Sequence, residues 1–145
     1  MTSQAIWVVV ADGASAKFFI RERAGLPLRE LEPLSLTLQA EERRKGRSTA
    51  VHDGVNTGPL VQPAHQNIEE DKERHFLGHI AGRINLAVGE HAVGQIVLIA
   101  PPHALRLLRA RLSGAAMDLV KREIGKDLVR ESVHDIERRL KSEGI

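Results

Sequence analysis

The sequence contains no cysteine and no tyrosine. Disulfides, thiolate metal sites and cysteine nucleophiles are therefore excluded. Its aromatics are one Trp and three Phe, 3% of the chain. A core must then be built from Val, Leu, Ile and Ala, and base recognition by stacked, exposed rings is disfavoured. Charge of one sign is also missing. With 21 basic and 19 acidic residues the net charge is +2, too balanced for a general electrostatic grip on nucleic acid, although a local basic patch is compatible with it. No apolar run approaches the roughly 18 residues that cross a bilayer. The opening "MTSQAIWVVVAD" has no basic flank, and Asp12 ends its short apolar run. This is unlike a secretory signal, so a cytoplasmic protein without membrane insertion is expected.

What is present fits one domain of 145 residues with 42% hydrophobic content. Residues 5–11, "AIWVVVA", are continuously apolar and β-branched, the mark of a strand buried on both faces. "DGAS" supplies turn residues, and "AKFFIRER" reads as a hairpin partner. A third strand is expected within "LRELEPLSLTL", where Leu34, Leu36 and Leu38 alternate with polar residues and Pro33 points to an edge position. Residues 39–67 are polar, rich in Gly and Pro, and without period; they read as a long mobile loop.

From Ile68 the pattern is helical. Phe76, Leu77, Ile80, Ala81, Ile84, Ala87 and Val88 form one apolar stripe, and Glu69, Glu70 and Asp71 stand in the first turn, where the helix dipole favours negative charge. Gly78 and Gly82 lie off that stripe and would permit a close approach, such as a homodimer contact. "IVLIA" (96–100) is a second fully apolar strand, expected to run parallel to the first. "PPHALRLLRARL" opens a helix on Pro, with Leu105, Leu108 and Leu112 buried. "LVKREI" follows as a weaker strand. Ser132 and Asp135 resemble a capping box for a last helix whose Val133, Ile136 and Leu140 face inward. The expected fold is α/β: a five-stranded mixed sheet in the order 3-2-1-4-5, flanked by three helices.

"VVVADGASAKFF", "GRS" at 46–48, "HFLGHIAGRI", "VLIAPPHALRLLRARL" and "IGKDL", in that order, resemble the bacterial family named for proteins required for attachment to host cells. The resemblance spans nearly the whole chain. It implies a relationship to the middle domain of eukaryotic and archaeal peptide-release factors, with a ribonuclease-H-like or ribosomal-protein-like fold. It marks Asp12, Gly46, Arg47, Ser48, Lys126 and Asp127 as motif positions. The chain departs from the pattern at Arg44 and Lys45, where an acidic residue and a Pro often precede the "GR", and at His103, where an Arg commonly stands.

The basic residues are the most informative candidates. Arg43, Arg44, Lys45 and Arg47 cluster in the long loop. Arg106 and Arg109 follow the fourth strand and Lys126 the fifth; Arg111 lies beside them. Strand ends of an open α/β sheet are where ligands bind. A loop folded over them would make an anion or RNA site, with Arg giving bidentate and Lys point-charge contacts. Asp127 is placed to orient Lys126 or Arg109, or else to shape a turn with Gly125, Leu128 entering the core.

Asp12 is either a turn residue or the first carboxylate of a two-metal phosphoryl-transfer site, for which a loop acid such as Asp53 would be needed. His75 and His79 have the i, i+4 spacing of metal ligands but project away from the apolar stripe, so solvent exposure is expected, with His52 or His65 as the remaining candidates. No Ser-His-Asp set, phosphate-binding Gly loop or dinucleotide fingerprint is present. The expectation is a non-catalytic binding protein without cofactor or metal that contacts RNA, the ribosome or a protein. A metal-dependent nuclease-like enzyme using Asp12 and a homodimeric interaction module are the alternatives.

Overall fold

A computed structural model describes residues 5–23, 25–31, 34–37 and 68–145. In chain order the elements are β1 (Ile6–Ala11), β2 (Ser15–Arg21), β3 (Arg29–Glu30), β4 (Leu36–Thr37), α1 (Ile68–Gly89), β5 (Gln95–Ile99), α2 (Pro102–Arg111), α3 (Gly114–Leu119), β6 (Val120–Ile124) and α4 (Val133–Ser142). The segment 39–67, with Arg43, Arg44, Lys45, Gly46, Arg47, Ser48, His52, Asp53 and His65, lies outside the described residues.

β1 is central, as its unbroken apolar run requires. It pairs antiparallel with β2 in register Val9↔Phe18, and parallel with β5 in register Val8↔Val97. β6 adds parallel to the far side of β5. Strand side chains alternate between faces, and the core divides accordingly. Trp7, Val9 and Ala11 join the cluster packed by α1, α2 and α3, whereas Val8 and Val10 join Ile136 and Leu140 of α4. Both parallel connections, β1 to β5 and β5 to β6, carry their helices over one face, as crossovers of one hand dictate.

The sheet has six strands in the order β3-β2-β1-β5-β6, with β4 also pairing β2. This corrects the expected count of five and the simple path 3-2-1-4-5. The third strand is split: Glu30 opposes Phe19, and Leu36 opposes Ala16. Between them the ladder is interrupted chemically. The Leu34 N–H turns back to Leu31 O at 3.0 Å, and the Ser35 hydroxyl accepts the Phe18 N–H at 3.3 Å. Alternating leucines carry no record of that hydroxyl competing with the backbone.

Four helices, not three, flank the sheet among the described residues. α3 is the addition. "SG" does end α2, but Ser113 then caps the next helix, its Oγ accepting the Ala116 N–H at 3.1 Å. Ser132 caps α4 similarly, accepting the Asp135 N–H at 3.2 Å while its hydroxyl donates to Asp135 Oδ2. None of the described helices is long and apolar enough to cross a membrane.

All four aromatic side chains are enclosed: Trp7, Phe18, Phe19 and Phe76 expose at most 5% of their surface. Trp7 and Phe18 meet edge to face at 5.7 Å. The Trp7 Nε1–H has no hydrogen-bond partner among the described residues.

Candidate functional site

β1, β5 and β6 run parallel, so their carboxyl ends share one edge of the sheet. Asp12 follows β1 there, Pro101 follows β5, and Gly125, Lys126 and Asp127 follow β6. α1 and α2 both begin near this edge. Glu73 of α1 crowds Gly13, where an added Cβ would fall 2.6 Å from its carboxyl carbon. A Cβ on Gly125 would lie 3.6 Å from Pro102.

Asp12 is a turn residue. Its Oδ1 accepts the Ala14 and Ser15 N–H groups, each at 2.8 Å, and the Ser15 hydroxyl at 3.3 Å. Its own N–H donates to Ser15 O at 2.9 Å, closing the hairpin. The side chain thus replaces backbone partners that a tight turn strips from its own amides. Among the described residues no group of three or more His, Asp and Glu stands together as a metal-ligand set. His75 and His79 are both exposed, on the side of α1 opposite its buried stripe.

Arg106, Arg109 and Lys126 lie where α2 meets β6 and the turn after it. Pro102 meets Gly125 at one end of α2, and Arg109 Nη1 pairs with Glu123 Oε1 at 3.0 Å further along. Pro102, Arg106 and Arg109 recur at i, i+4 and i+7, so they form one stripe along the helix. Arg106 is exposed within that stripe, and Lys126 is exposed next to Gly125. Arg109 takes Glu123 as its partner, and not Asp127. Asp127 is exposed, and Leu128 is buried in the core.

Arg111 projects to another side. Its guanidinium lies across Gly78, where a Cβ would be 3.1 Å from Nη1. The close approach at Gly78 is thus made by a side chain of the same chain, whereas Gly82 faces open space. Arg83 Nη1 reaches across to Leu34 O at 2.8 Å and ties α1 to the β3–β4 side of the sheet.

One charged residue escaped notice in the sequence. Arg21 ends β2 and is buried, exposing 8% of its surface. The signal was its alternation. Phe19 and Arg21 are two residues apart and so share a face, and Phe19 packs in the α4-side cluster.

The family model described as "Protein required for attachment to host cells" matches residues 7–140. The chain is also similar to an uncharacterized protein of Rickettsia prowazekii (strain Madrid E), with 28% identity over 145 residues and 95% of each chain covered.

Proposed function

The chain belongs to the family of proteins required for attachment to host cells, and on that premise we propose that it is a non-catalytic binding protein for the phosphate backbone of RNA, met free or on the ribosomal surface. The contact runs through Lys126, Arg106 and Arg109 at the strand ends, joined by Arg43, Arg44, Lys45 and Arg47 of the 39–67 segment. The observation that carries this reading is the exposed basic stripe of α2 beside Lys126. With every aromatic ring enclosed, stacking of bases on aromatic side chains is unavailable, which favours phosphate contacts by the basic residues. A kinship to the middle domain of peptide-release factors belongs to the same reading and would account for a ribosomal partner.

A phosphoryl-transfer reading built on Asp12 and Asp53 draws less support, because Asp12 already serves three hydrogen-bond donors of its own turn. A homodimer through Gly78 and Gly82 also draws less, because Arg111 covers Gly78.

The test is co-sedimentation with ribosomes and binding to a structured RNA across a salt series. Binding is expected at low salt and should weaken when Arg106 and Lys126 become Ala, with the salt slope falling by roughly 1–2 as phosphate contacts are lost. Absence of binding at low salt, or indifference to these changes and to Arg43, Arg44 and Arg47→Ala, overturns the reading.

A further inference from the structure

The opposite edge of the sheet holds a second basic site. Arg21 pairs in register with Ile6, at the amino end of β1. It is the one charged side chain among the described residues that is buried. Its Nε is sealed from solvent without a hydrogen-bond partner, and no ion pair reaches it among the described residues. A guanidinium on a residue only 8% exposed is stabilised by an anion that reaches the part of it facing the cleft.

There is room for one. Arg21 lines a cleft of about 360 Å³ with Gly25, Leu26, Pro27, Glu137, Lys141 and Ile145, a volume at the small end of ligand sites. The walls are tied in place. Glu137 Oε2 accepts the Leu28 N–H at 2.9 Å, which anchors the β2–β3 turn to α4. Gly25 sits at a φ of 89°, a conformation that makes the turn accessible to few other residues. Leu26 N–H closes the turn on Arg23 O at 3.2 Å. Glu137 therefore serves the backbone and forms no ion pair with Arg21. The side chains that line the cleft include two cations, Arg21 and Lys141, and one carboxylate, Glu137.

We propose that Arg21 and Lys141 form a binding site for the phosphoryl group of a small molecule, with Leu26, Pro27 and Ile145 as its apolar rim. Arg21 supplies the planar fork that matches two phosphoryl oxygens, and Lys141 supplies a mobile point charge from the cleft mouth. The proposal is independent of the RNA-binding stripe, which lies at the other end of the strands.

The Arg21 Nε–H resonance, identified by its loss in Arg21→Lys, reports on the site directly. Inorganic phosphate and glycerol 3-phosphate would be titrated separately at constant ionic strength, with chloride as the reference anion. A saturable shift of this resonance is expected with phosphate and absent with chloride. Tighter binding of glycerol 3-phosphate would assign the site to phosphomonoesters, and equal or weaker binding to free phosphate. Because changing Arg21 also alters buried bulk, Lys141→Gln carries the decision. It should weaken binding at least about fivefold while leaving the melting temperature without ligand unchanged. A shift that never saturates, that chloride reproduces, or that Lys141→Gln leaves unaltered overturns the proposal.

Discussion

Asn85 clamps the α2–α3 junction onto α1: its Oδ1 accepts the Ser113 N–H at 2.9 Å, and its Nδ2 donates to Arg111 O at 3.1 Å. One side chain thereby serves a carbonyl at the end of one helix and an amide at the start of the next. Asn85→Ala should cost about 1–2 kcal/mol in urea denaturation, from two hydrogen bonds lost at a partly exposed site. Asn85→Asp, which keeps the acceptor for Ser113 but lacks the donor for Arg111, should fall between the two.

The hairpin makes a different demand on Asp12. Asp12→Ala removes an acceptor shared by three donors and should destabilise the fold by about 1–3 kcal/mol. Asp12→Asn retains a side-chain oxygen and should recover much of that loss. Neither change should alter RNA binding beyond the fraction of unfolded protein. A loss of RNA binding in fully folded Asp12→Asn would place this carboxylate in the interface.

Glu123 pairs with Arg109 at 3.0 Å and offsets its charge within the basic stripe. The pair is partly solvated, with Arg109 47% exposed, so Glu123→Gln should change stability by less than about 1 kcal/mol. It should also release one cation to a polyanion. Tighter RNA binding at low salt, read by fluorescence anisotropy, is the expected outcome. Unchanged or weaker binding would show that Arg109 takes no part.

Gly25 has a backbone requirement. Its φ of 89° is one that a Cβ strains, although there is open space around it. Gly25→Ala should therefore destabilise by about 1 kcal/mol through conformation alone, measured by thermal unfolding. If the Arg21 cleft binds phosphate, the same change should also weaken that binding.

The α4 side of the core is thin. Ile136 and Leu140 are fully buried, and among the described residues α4 is the one helix on that face of the sheet. Ile136→Ala should cost about 2–5 kcal/mol, since few neighbours can collapse into the space.

The central strands were legible because burial on both faces leaves an unmistakable local mark, the unbroken runs of Trp7–Ala11 and Ile96–Ala100. The stripe of α1, the Pro start of α2 and the Ser132 cap are equally local. The split of the third strand was not legible, because it depends on the Ser35 hydroxyl reaching the Phe18 amide, 17 residues distant in sequence. α3 was hidden because its six residues are too few to show a period. Of the candidate site, Arg106 and Lys126 were named from sequence, but their proximity to the same helix turn came from the packing of Gly125 on Pro102.

By itself, then, the order of residues determined which segments had to leave water, which turns had to bend and which helix ends were capped, for these follow from neighbours within a few positions. The assignment of charges to partners was decided only by the assembled structure. Glu123 claims Arg109, Glu137 claims the Leu28 amide, and the Arg21 Nε is enclosed without a partner among the described residues. Each of these outcomes depends on a few ångströms between elements far apart in the chain, and electrostatic and hydrogen-bond energies change steeply over such distances.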